Sequence, residues 1–186
     1  LDASGSPTSY QRISATAGSG PSVIAGDNLG RGLGGLGDLD GDGVPDLILG
    51  APGDDTGGSK AGAAYVVLLT AGGAAKSHTK ISKTDSNGPS ALGAADFFAL
   101  SADGIGDVDD DGVYDAVCSA FADDDGATNA GAVYVLMLTT GGAVSSHTKI
   151  SQTTGGGPPL DASDWFGISS SALGDVNRDG VPDIVV

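Results

Sequence analysis

Apolar residues along this chain fall into short runs set apart by polar, glycine-rich loops, and three kinds of run recur. The first kind follows a string of aspartates and is almost wholly apolar, from Asp46 to Gly50 and from Asp115 to Ser119. The second is AAYVVLL at 63–69 and AVYVLML at 132–138, rich in the β-branched and aromatic residues that suit a pleated surface. The third, HTKIS at 78–82 and 147–151, alternates polar and apolar positions as a half-exposed strand does. Between the second and third, TAGGAAK and TTGGAVS carry the Gly-Gly signal of a hairpin turn. A further extended segment is expected at Phe97–Ser101 and Trp165–Ser169, running into the aspartates. Each unit is therefore predicted to hold four short antiparallel strands.

The runs recur because the chain is a repeat. AGAAYVVLLTAGGAAKSHTKIS, Ala61 to Ser82, returns 69 residues later as AGAVYVLMLTTGGAVSSHTKIS, Ala130 to Ser151, and a weaker YQRIS ends at Ser14. The aspartates Asp38, Asp107 and Asp175, which open the acidic strings, lie 69 and 68 residues apart. A fixed period of this size marks a repeat architecture. The expected fold is all-β, with β-propeller-type four-stranded blades in tandem and an acidic loop between the first and second strand of each blade. Residues 1–186 form one array of about two and two thirds repeats, with units 14–82, 83–151 and an incomplete 152–186, and 1–13 as the closing strand of a preceding unit. Propeller blades usually repeat at roughly 40 to 50 residues. The extra length is assigned to loops such as GDDTGGSKAG and ADDDGATNAG. A start at Leu1 and an end just after an acidic loop suggest a piece of a longer protein, or one completed by a neighbour.

Composition sharpens this picture. All 24 acidic residues are Asp and none is Glu, and with 33 glycines this favours turns over helix. The net charge of -16 would be repelled by nucleic acid and anionic lipid, so neither is an expected partner, and divalent cations are the natural counter-charge. No apolar stretch is long enough to span a bilayer, so direct membrane insertion is not expected. The single cysteine, Cys118, sits in an apolar run and is read as a small buried hydrophobe rather than half of a disulfide.

The acidic strings carry the candidate chemistry. In GDLDGDGVPD, the carboxylates of Asp38, Asp40 and Asp42, the carbonyl of Val44 and the carboxylate of Asp46 fall at loop positions 1, 3, 5, 7 and 9. Hard oxygen donors at that spacing suit a cation that takes six to eight oxygens, and Gly43 at position 6 permits the sharp turn. The second loop offers Asp107, Asp109, Asp111, Val113 and Asp115, and the third Asp175, Asn177, Asp179, Val181 and Asp183. The pattern starts like an EF-hand loop, but Leu49, Cys118 and Val186 stand at position 12, where the bidentate Glu belongs, and no helices flank it. Calcium, about three ions with one per loop, is the expected cofactor. Magnesium retains more of its waters, and zinc or copper would want nitrogen or sulfur.

With these residues in place, the units resemble FG-GAP repeats, the blades of the integrin α-subunit β-propeller, in the long version of bacterial and algal surface proteins. Phe166-Gly167 matches the FG element, Leu29-Gly30 and Phe98-Ala99 match it loosely, and Gly50-Ala51-Pro52 matches GAP, which becomes Ser119-Ala120-Phe121 in the second unit. The resemblance implies calcium in an inter-strand loop of each blade and an extracellular or cell-surface protein that adheres or assembles.

The expected function is a non-enzymatic structural or adhesion module. The alternative is the repeating subunit of an extracellular filament or surface layer joined blade to blade. A carbohydrate-binding or hydrolytic propeller is a third, weaker reading. His78 and His147 occupy one position in two copies, and repetition of that kind marks structure more often than catalysis. Ser77 and Ser146 beside them face the opposite side of a strand and complete no triad. Trp165 is expected to pack between blades rather than stack on a sugar, and Asp54-Asp55 and Asp123-Asp124-Asp125 to be solvated loops. Expected partners are other copies or neighbouring repeats, with an extracellular protein or glycan ligand also open.

Overall fold

The computed structural model describes residues 1–186 and contains strands but no helix. The first four-stranded antiparallel sheet is β1 (Leu33–Gly37), β2 (Asp46–Ala51), β3 (Ala63–Leu69) and β4 (Ala75–Ser82), paired in that order. The second repeats it as β5 (Ala102–Gly106), β6 (Asp115–Ala120), β7 (Ala132–Leu138) and β8 (Val144–Ile150). A two-stranded sheet follows, β9 (Ser171–Gly174) with β10 (Asp183–Val185). Sequence-adjacent strands pair throughout, and the acidic loops join β1 to β2, β5 to β6 and β9 to β10. The chain is all-β, with four-stranded antiparallel sheets in tandem, consistent with propeller-like blades.

The near-continuous apolar runs are explained by burial on both faces. Along β3, Ala64, Val66 and Leu68 enter the large core shared with the second sheet, while Ala63, Tyr65 and Val67 enter a smaller core on the other side. β7 divides likewise, with Ala132, Tyr134, Leu136 and Leu138 in the shared core and Val133 in a third cluster beneath the last sheet. Cys118 lies in the shared core as a free, fully buried thiol, and burial pushes its pKa up. The edge strands β4 and β8 expose their middles, which is why HTKIS alternates.

Two expectations shift. The segments Phe97–Ser101 and Trp165–Ser169 are not strands; the first strand of each unit begins later, at Ala102 and Ser171. Phe97, Ala99 and Trp165 have φ of 53, 62 and 56°, left-handed values that no strand residue holds. These turns instead dock onto the preceding unit through single parallel bridges, Phe98 to Gly62 and Phe166 to Gly131. Residues 1–13 form no strand either, and the one pairing nearby is the bridge between Ser14 and Ala17. A strand is held by its ladder, and this segment has none.

The inner strands come together: β1 packs on β5, and β5 on β9. Glycine makes the approach possible, since a Cβ on Gly34 would lie 2.4 Å from the Asp103 Cα and one on Gly104 2.1 Å from the Gly35 carbonyl oxygen.

Candidate metal-binding loops

Each acidic loop is wound by its own carboxylates. In the first, Asp38 accepts from the N–H groups of Asp42 (3.0 Å) and Gly43 (2.8 Å), and Asp42 accepts from Val44 (3.0 Å). The second repeats this with Asp107 accepting from Asp111 (3.1 Å) and Gly112 (2.8 Å), and Asp111 from Val113 (2.8 Å). The third does so with Asp175 accepting from Asp179 (3.1 Å) and Gly180 (3.0 Å), and Asp179 from Val181 (2.9 Å). Short Asp side chains bonding backbone a few residues on are what tighten such turns. The position-6 glycines, Gly43, Gly112 and Gly180, have φ of 86, 87 and 91°, where a side chain would be strained.

The winding gathers oxygens. In the first loop Asp38, Asp40 and Asp42 each place a carboxylate oxygen within 4.8 Å of the others; in the second Asp107, Asp109 and Asp115 do so. Hard carboxylate oxygens brought this close fit a calcium-type ion by donor chemistry, and like charges at such a spacing need a counter-cation. In the third loop Asn177 turns its amide to donate to Asp179 at 3.0 Å, so one charge is removed and one carboxylate is partnered internally.

The position-9 aspartates have a further part. Asp46, 1% exposed, accepts from Leu39 N–H (2.9 Å) and Leu69 N–H (2.8 Å), tying the loop to the end of β3. Asp115, fully buried, does the same with Val108 (2.8 Å) and Leu138 (2.9 Å), and Asp183 holds Val176 (2.8 Å). Burial raises the pKa of Asp46, as do the neighbouring Asp40 and Asp42 charges, while the backbone donors partly offset this; Asp115 behaves alike beside Asp109 and Asp111.

The two loops differ in their neighbours. Lys76 on β4 reaches into the first, its Nζ 2.5 Å from Asp40 and 2.6 Å from Asp42. The equivalent residue of the second unit is Ser145, whose hydroxyl donates to the Met137 carbonyl at 3.0 Å.

A second acidic constellation was only half legible in the sequence. Asp54, 5% exposed, pairs with Lys80 at 2.7 Å, and Asp123, 3% exposed, with Lys149 at 2.9 Å. These are buried ion pairs, not the solvated loops expected of Asp54 and Asp123. Buried Asp27 and Asp96 join them, lining the clefts that Asp54 and Asp123 share with Lys80 and Lys149. Asp27, Asp96 and Asp164 each cap their own turn, accepting from Ile24 (2.8 Å), Gly93 (2.6 Å) and Asp161 (2.7 Å). Their signal was present, since they recur 69 and 68 residues apart, just before the FG pair. Tyr65 and Tyr134 pack beneath the lysines, with Nζ 5.7 and 5.9 Å from the ring centroids. His78 and His147 lie beside the same tyrosines, at 6.4 and 5.9 Å between rings. Trp165 meets Phe121 edge-on at 6.4 Å while remaining 48% exposed, so it packs at the joint between units and also faces solvent.

No curated protein matches the chain. A family model does, over a stretch that takes in the first acidic loop, β2, the Gly-Ala-Pro turn and most of β3. That model is the FG-GAP repeat, and its match to residues 30–67 identifies the chain as carrying a repeat of this family.

Proposed function

We propose that this protein is a non-enzymatic, calcium-binding extracellular module with a structural or adhesive role. The observation that supports it most is the convergence of three carboxylates in two loops at equivalent positions of two successive repeats. Repeated, self-wound oxygen clusters at the root of a buried strand serve architecture: Asp38, Asp40, Asp42 and Asp46 in the first loop and Asp107, Asp109, Asp111 and Asp115 in the second would hold the ion, with the Val44 and Val113 carbonyls. The bound cation would supply charge neutralisation and a fixed joint between the first two strands of each blade. An adhesion-type propeller module is what the FG-GAP repeat suggests, and repeats of this family are typical of extracellular proteins.

The test is thermal unfolding in millimolar calcium and again after chelation. Ligand at a hundredfold over Kd stabilises by about 2.7 kcal/mol per site, so chelation is expected to lower Tm by roughly 5 to 15 °C. Asp109→Ala should remove about one site's share of that gain. An unchanged Tm on chelation would sink the calcium reading.

A filament-forming alternative is favoured by one feature. The joint between units is the same at both places, Gly62 with Phe98 and Gly131 with Phe166, so the interaction is of a kind that can continue from copy to copy.

A further inference from the structure

The first two loops share a backbone course but not a charge environment, and the difference comes from one side chain. Lys76 leaves β4 at the irregularity where Leu69 pairs with Ala75 and Leu68 with Ser77. The second hairpin has the same irregularity, where Leu138 pairs with Val144 and Met137 with Ser146. The two positions are therefore structurally equivalent, and only the first carries a cation. Its ammonium group touches two of the three carboxylates that converge in the first loop, Asp40 and Asp42, and leaves Asp38 to its backbone donors. In the second loop Asp107, Asp109 and Asp115 have no lysine or arginine within salt-bridge distance.

We infer that Lys76 is a built-in competitor for the first loop: a divalent cation must displace its ammonium from Asp40 and Asp42, so the second loop fills at lower calcium and the first only at higher. This rests on the calcium reading above and adds an order of filling along the array. Lys76 is itself 42% exposed, so the displaced side chain loses no packing and swings into water. Displacement gives up two exposed ion pairs and leaves a like charge near the incoming ion. Exposed pairs are individually weak, so the expected handicap is about tenfold in affinity rather than abolition.

Calcium titration calorimetry on the full chain tests this, with loops assigned by Asp40→Asn, Asp109→Asn and Asp179→Asn, each expected to delete the class of site belonging to its loop. Lys76→Ser, which installs the residue of the second unit, should tighten the first-loop class about tenfold and leave the second unchanged. Ser145→Lys should weaken the second-loop class by a similar factor. Both positions are exposed, so neither change threatens folding; circular dichroism checks this, and Lys76→Gln serves as the replacement for Lys76→Ser. Equal affinities of the first and second loops in the wild type, or a first-loop class indifferent to Lys76→Ser, would overturn the inference while leaving calcium binding intact. Absence of any calcium heat would overturn both.

Discussion

Asp96 is the side chain whose ionisation the fold opposes most visibly. Burial raises its carboxyl to about 6, the Gly93 N–H partly offsets this, Asp123 and Asp124 add to it, and Lys149 works against it. A carboxyl whose folded pKa lies above its unfolded one stabilises most below the unfolded value, and that contribution is lost as pH rises from about 4 through 6. Asp96→Asn keeps an acceptor for Gly93 and removes the charge. The variant should gain on wild type across that window, reaching about 2 kcal/mol by pH 7, read from urea unfolding at each pH. A wild-type-minus-variant difference that stays flat with pH would refute the assignment. Asp54 goes the other way: burial would raise it, but the Lys80 ammonium and Thr56 outweigh that and hold it low. At this scale the sequence showed which aspartates recur but not how they divide their work. Asp46 reads as a ligand from its spacing alone, whereas its grip on Leu69, 23 residues on, exists only once β3 has come back alongside β2.

At the scale of elements, the joints between sheets depend on glycines that no strand propensity would favour. A Cβ on Gly50 would fall 1.8 Å from the Ala99 carbonyl oxygen, which is backbone of the next unit's turn and cannot step aside. Gly35, one strand away, has open space around the same position. Gly50→Ala should therefore cost about 1 to 3 kcal/mol in urea unfolding, and Gly35→Ala less than about 0.5 kcal/mol. Similar costs for the two would mean that the close approach at Gly50 does not constrain the fold. The strands after the acidic loops were legible within a residue or so, because two buried faces demand a continuous apolar run. The segment Phe97–Ser101 misled because its apolar content is real but serves a turn: Phe98 is fully buried against Tyr134 while its neighbours hold left-handed φ values. Apolar content reports burial, and burial is shared by strands and docked turns.

At the scale of the whole molecule, a net charge of -16 and a joint that repeats from unit to unit pull in opposite directions. Self-repulsion keeps such a chain apart, and neutralising its acidic loops weakens that repulsion. Light scattering in millimolar calcium, repeated after chelator, separates the two proposed roles. A molar mass near the 17.9 kDa of one chain, independent of concentration, would favour the adhesion module. Large particles that dissociate on chelation would favour the filament. Either outcome bears on what the blades meet, a foreign partner or another copy.

What the sequence determined by itself is whatever depends on local spacing and repetition. The period, the sheet class, the hairpins and the winding of each acidic loop all follow from residues within about ten positions of one another. The tertiary structure decided what depends on distant residues meeting: Lys76 over the first acidic loop but no counterpart over the second, Asp96 drawn under the Asp123–Lys149 pair, and the left-handed turns seated on the preceding unit. The physical reason is that a loop carries its own hydrogen-bonding pattern in its sequence, whereas the counter-charge of a carboxylate is set by which strand folds back beside it.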